Sequence, residues 1–235
     1  MKKTVVLACE TISEEVLFTA NSVQTPFPII WVESGLHNNP DRLKKQLQAD
    51  IRRIDNADYI LLLFGYCGNS ILDLVSENSS LVIPKADDCI SLLLGGNKPR
   101  NSLNAKAMAY FLTNGWLQHE NNLWSEYQYC LKKYGIERTR KLYQMMLGNY
   151  HSLNVINTGA YNLEELLPVT KQIAAELGLT HTVVEGSLGL IEKALRGQWD
   201  DEFAIIEPGR PVSLHNLGVL EKQPPGQLKI GNPGG

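Results

Sequence analysis

The chain has 235 residues, enough for one large or two small domains with a core of their own. Hydrophobic residues make up 43% and charged residues 20%, the balance of an ordinary globular protein, and the net charge of −3 argues against a general nucleic-acid-binding surface. No apolar run approaches the roughly 18–20 residues that span a bilayer, and Met1-Lys2-Lys3 leads into only a short apolar stretch before Cys9 and Glu10, so a strand fits better than an export signal and a cytoplasmic location is expected.

From the N-terminus, residues 4–8 read as a first strand that runs into Cys9. Residues 12–20 have helical spacing, with Ser13 as cap and Glu14 and Glu15 in the first turn, where acids suit the helix dipole. Residues 27–32 read as a second strand, interrupted by Pro28 and so suited to an edge. His37 follows, and Asn39 with Pro40 reads as a cap with proline at the first helical position. The helix 41–54 is amphipathic through Leu43, Leu47, Ile51 and Ile54. Residues 59–64 are almost wholly apolar, as in a strand covered on both faces, and stop at Gly65-Tyr66-Cys67-Gly68. Strand 81–84 leads to Asp87, Asp88 and Cys89, and either aspartate suits as cap of the apolar run 90–94. Each cysteine opens onto a helical pattern, so strand and helix alternate four times in the first ninety-odd residues. This predicts an α/β fold with a doubly wound, mostly parallel, Rossmann-like sheet.

Residues 95–104 are polar, with glycine and proline, and read as a loop. Residues 108–113 read as a strand ending at Asn114-Gly115-Trp116. Two helical stretches follow between 124 and 150, split at Tyr134-Gly135. Their stripe of Tyr127, Leu131, Tyr134, Leu142, Met145 and Met146 reads as core, with Cys130 packed in it, and the basic run 138–141 as a solvated face. Strands at 153–157, 181–184 and 203–206 alternate with helices at 163–177 and 188–195. This half either extends the first sheet or forms a smaller lobe. The expected division is a cysteine-bearing half at 1–117, a helical then α/β half at 118–221, and a Pro/Gly-rich tail at 222–235.

Cys9, Cys67 and Cys89 all fall just past strand ends. In a parallel sheet those ends share one edge, where open α/β folds bind ligands. Thiolates are soft ligands that select zinc, Cu(I) and iron–sulfur clusters. No CxxC pair exists, so ribbon and ferredoxin signatures fail. Three separate loops supplying one ligand each would leave a coordination position open, as in a catalytic centre. The alternative is that the three cysteines only pack, which suits Cys67 least because it sits between glycines. His37 lies past a strand end on the same edge, as a further ligand or a general acid/base, or as an exposed loop residue. Asp88 is a candidate acid/base beside its capping role. Gly65, Gly68 and Gly95 are the candidate cofactor-binding positions, although no GxGxxG or Walker pattern is present.

Gly65-Tyr66-Cys67-Gly68, the string from Ile83-Pro84 through Asp88-Cys89 to Gly95, and the run from Tyr110 to Trp116 together resemble the uncharacterised family called domain of unknown function 1638. Cys9 matches that family's early cysteine, and His37 with Pro40 its histidine–proline pair. Asp87 stands where the family usually has a histidine. The resemblance implies an anaerobic setting associated with corrinoid-dependent methyl transfer, and hence a corrinoid protein or methyltransferase as partner. It implies no mechanism.

Two leading functions are therefore expected from the sequence. One is an enzyme with an iron–sulfur cluster, or alternatively zinc, held by Cys9, Cys67 and Cys89 and acting on a small sulfur or one-carbon compound. The other is a small-ligand or corrinoid-partner binding protein whose cysteines are structural. Beside these two, the glycine-flanked loop allows metal-free cysteine catalysis by Cys67, with His37 as the base. None calls for nucleic acid or membrane.

Overall fold

The computed structural model describes residues 2–106, 108–119 and 122–218. The tail expected at 222–235 lies outside them. The first sheet has the order β2-β1-β3-β4-β8, from β1 (Thr4–Cys9), β2 (Ile29–Val32), β3 (Tyr59–Leu63), β4 (Ser80–Pro84) and β8 (Phe203–Ile206). β1 to β4 are mutually parallel, and β8 closes the edge antiparallel to β4. A second, fully parallel sheet has the order β5-β6-β7, from β5 (Ala109–Leu112), β6 (Ser152–Asn157) and β7 (Thr180–Glu185). The Rossmann-like α/β expectation holds. The later strands do both things the sequence left open: β8 returns to the first sheet, and β6 and β7 build the second on β5.

β1 feeds helix α1 (Ser13–Val23) and then β2 on one side; α2 (Pro40–Arg53) then carries the chain back across β1 to β3. Right-handed crossovers in opposite directions place α1 and α2 on opposite faces, which is why β3 and β4 read as continuous apolar runs. α2 starts where expected: Asn39 accepts from the Arg42 amide at 3.1 Å, and Leu43, Leu47 and Ile51 are buried. β2 lies at the sheet edge, and the carbonyl of Pro28 still accepts from the Val6 amide at 2.9 Å.

Three expectations are corrected. No helix forms between β3 and β4: Cys67, Gly68, Asn69 and Asp73 take φ of 40°, 64°, 68° and 59°, and left-handed residues in succession build turns instead. The polar stretch after α3 (Cys89–Leu93) is helix α4 (Asn97–Lys106), not loop. Its Pro99 sits in the first turn, where proline is tolerated, and Asn97 ties the start down by donating to Asp87 Oδ1 at 2.9 Å. The stripe on α6 (Leu123–Tyr134) and α7 (Ile136–Met146) is only partly core: Tyr127 is buried, whereas Tyr134, Leu142, Met145 and Met146 are exposed. Short helix α5 (Asn114–Gln118), capped by Thr113, was not apparent in the sequence. Helices α8 (Leu163–Leu177) and α9 (Gly189–Leu195) complete the described secondary structure.

Two buried cores form, one from Val6 to Leu217 that also takes in Ala109, Phe111 and Ile156 of the second sheet, and one around Leu112, Tyr127, Tyr143, Leu153 and Val155. Trp116 packs against both. No helix among the described residues is long and apolar enough to cross a membrane.

Candidate functional site

Read across the sheet, His37 follows β2, Cys67 follows β3 and Cys89 follows β4, while Cys9, expected just past β1, is the last residue of that strand. The chain leaves β1 toward β2 and returns to β3, so Cys9 and Cys67 flank the switch point where crevices form in such sheets. All four residues line one cavity of about 350 Å³. Its apolar wall comes from Leu43, Phe64, Ile90 and Trp116, and Glu33, Asp87 and Asp88 also border it.

The backbone explains how Cys67 reaches Cys89. The segments after β3 and β4 run side by side: the Tyr66 amide donates to the Ala86 carbonyl at 3.1 Å and the Cys67 amide to the Asp87 carbonyl at 3.2 Å. A Cβ on Gly65 would lie 2.0 Å from the Asp88 Cα, so only glycine permits this approach. Cys67 then turns with φ of 40°, a left-handed conformation that non-glycine residues enter at a cost.

Cys9, Cys67 and Cys89 are free thiols. Cys9 and Cys89 are each 5% exposed and Cys67 is half-buried. Cys9 Sγ donates to Thr11 Oγ1 at 3.3 Å, and Cys89 lies close enough to Cys67 and Cys9 for their proximity to perturb the titration of Cys89 and of Cys9. The contact with Cys89, reinforced by burial and opposed by Thr11, pushes the Cys9 thiol well above its usual range. Contact with Cys67 does the same to Cys89, with burial adding to it and Cys9 opposing. Both therefore stay protonated near neutral pH.

His37 Nδ1 is hydrogen-bonded to the Ser34 carbonyl. A carbonyl only accepts, so Nδ1 carries the proton and Nε2 of the neutral ring holds a lone pair. The ring lies 6.1 Å from that of Trp116. Asp88 has both oxygens engaged: Oδ1 accepts from the Ser91 amide at 2.9 Å and hydroxyl at 3.0 Å, and Oδ2 pairs with Arg100 at 2.6 Å. Asp87, at the position where the resemblance expects histidine, is held by Asn97. Gly68 lines the cavity; Gly95 lies beyond the end of α3, facing Ser187.

Thr11, Arg100 and Trp116 were not singled out from the sequence as site residues. Arg100 arrives on the helix read as a loop. Trp116 is seated because Gly115 presses against the Thr11 carbonyl, 2.0 Å from where a Cβ would stand. Thr11, His37 and Trp116 also border a second cavity of about 150 Å³, reached by Tyr110, His119 and Glu126.

The donor chemistry suits a thiophilic metal, but the arrangement is not a cage for one. Among the described residues no group of three or more His, Cys, Asp or Glu side chains is placed so that it could hold a metal ion.

The family model described as "Protein of unknown function (DUF1638)" matches residues 31–195, so the chain belongs to this family. His37, Cys67 and Cys89 lie inside the matched region and Cys9 before it. No curated protein and no solved structure matches the chain.

Proposed function

We propose that this DUF1638 protein binds a small molecule in the thiol cavity and acts on it through Cys67. The observation that carries the reading is the convergence of three thiols, from three adjacent strand ends, on one cavity. Cys67 is the half-buried member and the one an incoming ligand meets; Cys9 and Cys89 stand behind it. A thiolate is the reactive form, and the Nε2 lone pair of His37 on the same cavity is the base that generates it. The apolar wall limits water around the reacting sulfur.

The donor chemistry favours a second reading. Three soft sulfur ligands and an imidazole nitrogen suit an iron–sulfur cluster or zinc. Cys9, Cys67 and Cys89 would hold the centre once the thiols had shifted, with His37 beside it. Bound there, it would supply redox or Lewis-acid chemistry to a small sulfur or one-carbon compound. A corrinoid protein or methyltransferase would be the partner, as the family resemblance implies.

Anaerobic purification with iron, sulfide and zinc analysis separates the two. The first reading expects metal-free protein whose Cys67 reacts with iodoacetamide at least about tenfold faster than Cys130, which is equally half-buried but packed in the second core. The second expects stoichiometric metal, protection of all three cavity cysteines, and loss of metal in Cys67→Ser. Metal-free protein in which Cys67 reacts no faster than Cys130 defeats both.

A further inference from the structure

Cys67 and Cys89 sit on neighbouring loops, and with the other described residues they form no cage for an ion. No three donors among the described residues are set to hold an ion, yet Cys9, Cys67 and Cys89 line one cavity. The loops that carry Cys67 and Cys89 are joined by main-chain hydrogen bonds and run within contact of each other at Gly65 and Asp88. Both line the cavity, where Cys67 is half-buried and Cys89 is 5% exposed. A disulfide needs Cα atoms about 4.4–6.8 Å apart with the Cβ atoms facing each other, and the paired segments after β3 and β4 bring the two cysteine-bearing loops together.

We propose that Cys67 and Cys89 form a dithiol–disulfide couple that reduces small-molecule disulfides, with Cys67 meeting the incoming disulfide and Cys89 resolving it. The inference rests on the reading that Cys67 is the reactive thiol of the cavity. In the first step the Cys67 thiolate attacks one sulfur of R–S–S–R. A Cys67–S–S–R bond forms and RS⁻ leaves. In the second step the Cys89 sulfur attacks Cys67, the Cys67–Cys89 bond forms, and the second RS⁻ leaves. The two thiol protons end on the two departing thiolates. The protein is oxidised by two electrons and the small disulfide is reduced to two thiols. Cys89 gives up its proton to the departing thiolate as its sulfur attacks, and because it is almost fully buried it meets only the mixed disulfide formed next to it, so the couple is ordered by access. Cys9, bonded to Thr11 on the far side of Cys89, is not needed.

The test uses the full chain carrying Cys130→Ser, reduced and desalted without oxygen, with 5,5′-dithiobis(2-nitrobenzoate) as the disulfide. Two thionitrobenzoates are expected per chain, released in linked phases. The product is expected to be lighter by two hydrogens, with a peptide cross-link between Cys67 and Cys89. Cys89→Ser should release one thionitrobenzoate and keep a stable adduct on Cys67. Cys67→Ser should abolish the fast phase, and Cys9→Ser should leave the cross-link intact. A stable Cys67 adduct on the chain that retains Cys89, or a cross-link between Cys9 and Cys89, overturns the couple while leaving Cys67 as the reactive thiol. An unreactive Cys67 overturns the couple together with the reading beneath it.

Discussion

Gly65 shows how one missing side chain determines the site. Its absent Cβ lets the segment after β3 lie against the backbone of Asp88, and that contact brings Cys67 beside Cys89. Gly65→Ala would drive a methyl group into main-chain atoms, which cannot swing aside as a side-chain tip does. The expected cost is about 3 kcal/mol or more in urea unfolding, together with slower alkylation of Cys67. A change within about 0.5 kcal/mol would show that the two segments part easily. Residue type alone marked Gly65, Cys67 and His37 as unusual, because a glycine-flanked cysteine and a histidine past a strand are visible in the string. Which nitrogen of His37 carries the proton was not visible, since it depends on the Ser34 carbonyl.

At the level of elements, Asp88 is more a fixture than a free acid. It caps α3 through Ser91 and pairs with Arg100 from α4. Asparagine keeps the cap and loses the charge; alanine loses both. Asp88→Asn should therefore cost under about 1 kcal/mol, as partly exposed ion pairs contribute little. Asp88→Ala should cost about 2 kcal/mol through loss of the cap. Equal losses in thermal or urea unfolding would mean that the pair, not the cap, holds the loop. The capping aspartate was readable because caps are local. Arg100 was not, because α4 is polar and contains Pro99, and its start is anchored by Asp87, ten residues earlier.

Across the whole molecule, the seam between the two sheets contains a buried acid. Glu15 on α1 is fully buried; Oε1 accepts from Thr158 after β6 at 3.2 Å, and Oε2 has no partner. Burial, with a smaller contribution from the Glu14 charge, raises its pKa from 4.5 to about 7. Because the folded value lies above the unfolded one, its stabilising contribution is complete below about pH 4.5 and is lost as pH rises through about 7. The loss amounts to about 3 kcal/mol, from the shift at 1.36 kcal/mol per unit. Glu15→Gln should flatten the fall in melting temperature between pH 5 and 8 and be the more stable form at the alkaline end. An unchanged pH profile would mean that the carboxylate is solvated in solution.

The strands, most helices and the placing of Cys67 and Cys89 past strand ends followed from the sequence, because apolar runs, caps and period are properties of neighbouring residues; Cys9 stands at the last residue of β1 rather than beyond it. Only the tertiary structure decided that β1, β3 and β4 stand side by side, and that a second sheet builds on β5 and shares Trp116 with the first. It alone decided, too, that Cys9, Cys67 and Cys89 line one cavity with His37. Strand order and the approach of loops depend on contacts between residues far apart in the chain, and no local pattern encodes those distances.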